Sequence, residues 1–288
     1  MDISIMTVSL PIDTDTIEEI RQLMADSSRE DQIDYENILS VGDLTDYALK
    51  GFCVLAYEDE EDRLAGVITA LDRMAMLDFE WSGLVSPSFR KRGIGNKLLA
   101  EFQKNLALRG ALGDLALADE RSVVGQQMLT SKGYSMEFTE LTMAAKAIES
   151  FENELKVVPY VDEEAVLVDM LTDAFGDTEE EVKQLITVNT QAANRQLFLA
   201  RLDSEVVGTL TMVESDGKLW ITALAVHRDS RGQGIATSLL NWAKNRAYQL
   251  GKPSVYLDVE TDREDALNVY RKAGFEKLEH ILYFRRVN

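Results

Sequence analysis

The chain has 288 residues, 45% of them apolar, with four prolines and a formal charge of -20. That is enough apolar material for one large or two ordinary cores, and too acidic a balance for a broad nucleic-acid surface. The single cysteine cannot close an internal disulfide, and no stretch approaches the roughly 18 apolar residues of a membrane span, so the expectation is a soluble, cytoplasmic protein without nucleic-acid or membrane partners.

In chain order, an acid-rich helical stretch from Asp13 precedes "FCVLAYEDE", a strand in which Cys53 takes a core position, and "RLAGVITAL", its hairpin partner. The strand "LDFEWSGLV" then runs into a glycine turn, "RKRGIG". Ile94, Leu98, Phe102 and Leu106 recur every four residues after it, so the spacing predicts a helix, stopped at Gly110. A strand "DLALAD", a short helix ending at Gly133 and a last strand complete the first half. The second half repeats this order: "QLFLARLDS", "EVVGTLTMV", "LWITALAV", the turn "RGQGIA", a helix through Ile235, Leu239, Ala243 and Ala247, then "SVYLDVE" and a short helix to Gly274. Gly234 follows Gly93, and Gly274 follows Gly133, by the same 141 residues. Two landmarks with one offset indicate an internal duplication of a whole domain. The predicted architecture is mixed α/β, written twice, with domains at 1–147 and 148–288 and a boundary in the charged stretch that follows residue 145.

A helix begins with unpaired N–H groups and a partial positive charge, and glycines before it let several N–H groups converge on one anion. Each turn is therefore a candidate phosphate or pyrophosphate site, to which Arg90 or Arg231 can add charge. A nucleotide P-loop pattern is absent. A dinucleotide fingerprint fits poorly, because its third small residue falls on Thr237 and the first turn breaks the pattern at Gly93. Both turns instead fit [QR]-x-x-G-x-[GA]: Arg231, Gly232, Gln233, Gly234, Ile235, Ala236, and Arg90, Lys91, Arg92, Gly93, Ile94, Gly95. With an apolar strand before each turn and a Gly-aromatic pair after it, nearly the whole chain resembles two consecutive domains of the GNAT superfamily of acetyl-coenzyme A-dependent N-acetyltransferases.

The resemblance implies two GNAT-like domains, each a mixed, mainly antiparallel sheet flanked by helices. It implies pyrophosphate binding at Gly232–Thr237 (Gln233, Gly234, Ile235 and Ala236 included) and at Lys91–Asn96 in the first half. The pantetheine arm would lie along Leu224, Ala225 and Val226, and along Gly83, Leu84 and Val85, with a strand irregularity offering N–H groups to the thioester oxygen. The family's usual proton donor falls on Tyr270; the first half has Leu129 there, which implies a degenerate, structural or differently specialised domain. A frequent asparagine contact with the coenzyme falls on Arg263 and Ser122, a departure in both halves.

By strand alternation Asp258 shares a face with Tyr256 and Glu260 at a position where relatives often carry a glutamate, which makes it the candidate base; Glu80 is a weaker one. His227 and His280 lack partners at a telling spacing, so neither a triad nor a metal site is expected. The implied activity is acetyl transfer from acetyl-coenzyme A, as co-substrate, to a primary amine on a small molecule or peptide, centred on the C-terminal domain. The charge suggests a cationic acceptor. The alternatives are a non-catalytic acetyl-coenzyme A sensor and an aminoacyl-tRNA-dependent transferase, the latter opposed by the charge. Monomer and homodimer are both open.

Overall fold

The computed structural model describes residues 2–151, 155–215 and 217–286; residues 152–154 of the charged connecting stretch lie outside the described residues. Two compact units are present, one formed by Met1–Thr139 with His280–Asn288, the other by Glu140–Glu279. They are not the contiguous halves that a cut at 147 gives.

In the first unit the chain runs β1 (Ile3–Ser9), α1 (Thr14–Asp31), a 3-10 turn (Val41–Thr45), β2 (Lys50–Glu58), β3 (Arg63–Asp72), β4 (Asp78–Val85), α2 (Ile94–Arg109), β5 (Gly113–Asp119) and α3 (Val123–Ser131), then enters β6 (Tyr134–Lys146). The second unit takes up the end of β6 and continues with β7 (Lys156–Pro159), α4 (Glu164–Phe175), α5 (Glu179–Gln191), β8 (Arg195–Leu202), β9 (Glu205–Ser215), β10 (Lys218–Val226), α6 (Ile235–Gln249), β11 (Ser254–Glu260) and α7 (Glu264–Lys272), before β12 (Glu276–Arg286). The strand order in the first unit is β1-β2-β3-β4-β5-β12, and in the second β6-β11-β10-β9-β8-β7. The final strand of the chain thus lies antiparallel on β5, from Ile281 opposite Asp119 to Arg285 opposite Leu115. The end of β6 lies antiparallel on β11, from Glu140 opposite Glu260 to Lys146 opposite Ser254. Hydrophobic alternation specifies which face of a strand is buried, not which strand it pairs with, so the exchange leaves no local sequence signal.

Neighbouring strands are antiparallel apart from one parallel pair in each unit. β4 and β5 are in register only at Asp78–Trp81 with Gly113–Ala116, and β10 and β11 only at Leu219–Trp220 with Val255–Tyr256. Beyond those residues the two strands of each pair part. β3 is buried along nine of its ten residues because helices cover both faces, which explains its nearly unbroken apolar run. On one face of the first unit Ile94, Leu98, Leu99 and Phe102 of α2 pack against Phe52, Ile68 and Trp81; on the other, Ile17, Ile20, Leu23 and Met24 of α1 pack against Leu55, Val67 and Leu71. In the second unit Ile235, Leu239, Leu240 and Ala243 of α6 fill one core and Leu167, Leu171, Val182 and Ile186 the other. A Cβ on Gly208 would come within 2.9 Å of Leu239 and 3.1 Å of the Ala225 carbonyl, so glycine there lets α6 approach the sheet.

Two edge strands, β1 and β7, fall in stretches for which the sequence pattern gives no strand expectation. β1 alternates half-buried and exposed residues rather than burying a face, and β7 has only four residues.

Candidate active site

The two turns have the same backbone. Gly93 and Gly234 are the N-caps of α2 and α6, both with φ 81°, a left-handed conformation that favours glycine. Two residues earlier the left-handed conformation recurs, at Lys91 with φ 61° and at Gly232 with φ 75°. Neither helix has a side-chain cap, so the first-turn N–H groups of both lack the usual partner. A Cβ on Gly93, Gly232 or Gly234 would meet nothing within 4 Å. Each loop therefore offers main-chain donors to an open space, which fits an anionic pyrophosphate.

Both arginines are already engaged. Arg90 donates from Nε to the Val85 carbonyl at 3.0 Å and holds both oxygens of Asp31 at 2.6 and 2.5 Å. Arg231 repeats this with the Val226 carbonyl at 3.2 Å and the Asp173 carboxylate. Each guanidinium ties the loop to the end of the preceding strand and to an acidic residue of the first helix of its unit, α1 or α4. Arg228 adds Asp169, with both oxygens at 2.8 Å. Part of the acidity of α4 thus serves to hold the loop. The Arg90 guanidinium keeps the Asp31 carboxyl below the usual carboxylate range, against the opposing effect of burial. His227 accepts from the Asp229 N–H and caps the short turn before the loop, while His280 bonds Glu120 at 2.7 Å and Thr139 at 3.1 Å.

The strands ahead of the loops differ. β4 keeps its antiparallel register with β3 without interruption from Leu71 opposite Glu80 to Gly66 opposite Val85, through Gly83 and Leu84. β10 does not: the register with β9 shifts between Thr222 and Ala225, and Ala223 has φ 48°. Ala223 and Leu224 together face the single residue Leu210, a bulge that frees main-chain groups just before Ala225 and Val226. The expected irregularity is present in the second unit and absent from the first.

Tyr270 lies in the last turn of α7, half-buried against the core beside α6, its ring 6.2 Å from that of Phe275. Burial raises its phenol pKa, and the charge of Arg263 partly opposes this. Asp258, on β11, is exposed and stands opposite Thr142 of β6. Lost hydration raises its carboxyl pKa, opposed by a hydrogen bond from the Thr142 hydroxyl at 2.6 Å and by the Lys218 ammonium. Arg263 occupies the N-cap position of α7 without a side-chain capping bond and donates to the Ala174 carbonyl at 3.1 Å.

In the first unit the positions 141 residues earlier are Leu129 and Leu117, and neither can carry a proton. Glu80 bonds Arg73 at 2.8 Å, which also holds Asp43. Tyr35 and Ile38, both buried, line a cavity of about 100 Å³ with Gly83, Val85, Gly95, Leu117, Ser122 and Leu129. Residues 33–44 close over this face of the first sheet, with Ile33, Leu39, Val41 and Leu44 in the same core as Leu84. Cys53 is fully buried and burial pushes its thiol up to about 12, which removes it as a nucleophile.

The model of the acetyltransferase (GNAT) family matches residues 17–122 and again residues 165–275, more than half the chain. The chain belongs to this family. Both matches of the GNAT model include the loop, and the second runs through Tyr270 to the Gly-aromatic pair. Among solved structures, a GCN5-related N-acetyltransferase from Sphaerobacter thermophilus is 21% identical, with 97% of this chain and 95% of that one covered and a TM-score of 0.75. A tandem GNAT protein from the clavulanic acid biosynthesis pathway is 16% identical, with 98% of each chain covered and a TM-score of 0.69. A GNAT-family acetyltransferase from Colwellia psychrerythraea is 15% identical over 99% of this chain and 100% of that one, with a TM-score of 0.61. The GNAT fold thus occurs twice in this chain, as in a tandem relative.

Thr142 and Lys218 were not legible from motifs. Thr142 reaches Asp258 only because β6 pairs with β11, across 116 residues of sequence. The bulge at Ala223 could not be read from "LAV", which differs from "GLV" of the regular strand by nothing that signals a bulge.

Proposed function

We propose that the protein transfers an acetyl group from acetyl-coenzyme A to a primary amine, and that the second unit performs the reaction. The observation that carries this reading is the asymmetry between the two copies: one loop conformation in both, but the bulge, Asp258 and Tyr270 in the second unit only, where the first has a regular strand, Leu117 and Leu129.

In this reading the N–H groups of Gly232–Thr237 bind the pyrophosphate, and the N–H groups around Leu224–Val226 pair with the pantetheine arm and face the thioester oxygen. Acetyl-coenzyme A supplies the activated acyl group. Asp258, its pKa raised and hydrogen-bonded by Thr142, takes the proton that the amine loses as the new C–N bond forms. Tyr270, kept protonated by burial, gives its proton to the sulfur as the C–S bond breaks, and recovers one from solvent. Arg231 positions the loop rather than touching the coenzyme. The first unit, with its own loop at Lys91–Asn96 and its cavity beside Gly83 and Val85, holds coenzyme without transferring from it. A cationic acceptor suits the carboxylate of Asp258.

The test is turnover by Tyr270→Phe and Asp258→Asn with acetyl-coenzyme A binding measured alongside. Loss of about 10²-fold or more in kcat with binding retained is expected of each. Unchanged turnover in both variants would sink the assignment, and binding without any turnover in the parent protein would favour the sensor reading.

A further inference from the structure

The open face of the second sheet carries an aromatic pair that neither core uses. Trp220 and Tyr256 are register partners in the short parallel ladder of β10 and β11, with ring centroids 5.4 Å apart and planes inclined at 39°. Both are half-buried, and neither belongs to the clusters that pack beneath α6 or beneath α4 and α5. Two residues further along each strand, on the same face, stand Thr222 and Asp258, both exposed, and Thr142 completes the row from β6. Lys218 lies at the other end, its ammonium 5.5 Å from the centre of the Tyr256 ring. Beyond Thr222 the strand turns at the Ala223 bulge. A ring platform therefore adjoins hydroxyls and a carboxylate, next to the point where the two strands part. The first unit has no counterpart: its register pairs Glu80 with Leu115, under a closed face.

We propose that Trp220 and Tyr256 form the platform for the acceptor, and that the acceptor is an amino sugar, its C–H face on the two rings and its amine at Asp258. This rests on the second unit being the one that transfers acetyl groups. Aromatic rings left half in water at such a place bind the apolar face of a partner. The surrounding groups discriminate among amines. A flat aromatic amine would cover the rings but strip the Thr222 hydroxyl of water without offering it a partner, at a desolvation cost, while the Thr142 hydroxyl already donates to Asp258. A linear polyamine would bring a second cation against Lys218. A hydroxylated ring with one ammonium satisfies the Thr222 hydroxyl, the carboxylate and the rings together.

The experiment is saturation-transfer NMR with glucosamine and galactosamine in the absence of acetyl-coenzyme A, on the parent protein and on Trp220→Leu and Tyr256→Leu. Spermidine and tryptamine serve as competitors. Transfer concentrated on one C–H face of the sugar is expected, with affinity about tenfold weaker in each variant, while circular dichroism and acetyl-coenzyme A binding stay as in the parent. Failure of both sugars to bind the parent protein, equal binding in the variants, or tighter binding of tryptamine or spermidine overturns the proposal. Tyr270→Phe separates the two readings. If it turns over normally while Trp220→Leu loses glucosamine, the platform stands and the proton-donor assignment falls.

Discussion

Lys244 donates from its ammonium to the carbonyl of Ala273 at 2.6 Å, fastening the end of the helix that carries Tyr270 to the helix that begins at the loop. The lysine is only 9% exposed, and burial lowers its pKa.

Replacing Lys244 by methionine removes a buried charge and keeps most of the volume, so stability at pH 7 should be equal or higher, while alanine should cost about 2–3 kcal/mol through the cavity. The pH dependence has a definite sign. An unfolded lysine titrates near about 10.4, and the folded one titrates lower. Between the two values the unfolded chain holds a proton that the folded chain has released, so stability gains with rising pH. Below the folded value the penalty is fully present. Any advantage of Lys244→Met in urea melts should shrink as pH rises toward 10; an advantage constant with pH would mean that burial of the charge is not the cause.

In the first unit Asp31 and Arg90 fasten the loop to α1, with Tyr35 donating to the same carboxylate at 2.7 Å. Asp31→Asn should cost about 1–2 kcal/mol at neutral pH, allowing for the partial exposure of Arg90. Because the folded pKa is depressed, the stabilisation is complete above about 3.9 and is lost as pH falls through the folded value. Denaturant melts of the two proteins should therefore converge toward pH 2, whereas a difference that persists there would point to packing.

Removal of residues 280–288 should destabilise the first unit and spare the second. Those residues supply the ladder on β5, the stack of Tyr283 on Phe138 at 4.3 Å, and the bonds of Arg285 to Asp78 and Glu137. Hydrogen exchange should show lost protection in β5 and retained protection in β10 and β11. Equal loss in both units would contradict the exchange of last strands.

Calorimetry with acetyl-coenzyme A should find two equivalents, falling to one with Gly93→Asp and to one with Gly234→Asp. Aspartate tolerates the left-handed backbone but places a carboxylate over the donors. A parent protein that binds one equivalent, lost only with Gly234→Asp, would make the first loop a relic.

In the Gly234→Asp background, Leu129→Tyr should restore no release of free coenzyme A. The first unit lacks the bulge and a carboxylate at Leu117, and Tyr35 and Ile38 close its face. Measurable turnover in that double variant would show that the tyrosine alone separates the two copies.

Much of this was legible because it is local. The glycines at 93 and 234 announce backbone that other residues adopt at a cost, and helix periodicity after them places Ile94 and Ile235 on buried faces. The anchoring of Arg90 and Arg231 was not legible, since their partners lie on helices some 58 residues earlier in sequence. A motif places the arginines beside a phosphate; in the fold a nearby carboxylate engages them.

The duplication, the order of elements in each copy, the two left-handed glycine turns and the leucine at 129 where the second copy has Tyr270 follow from the sequence, because turns and helices depend on neighbours a few residues away. Only the tertiary structure decided where β6 and β12 pair, that β10 bulges at Ala223 while β4 runs straight, that residues 33–44 close one face, and that Thr142 meets Asp258. Those outcomes depend on partners distant along the chain, whose pairing free energies are set by the whole packed sheet rather than by any short stretch.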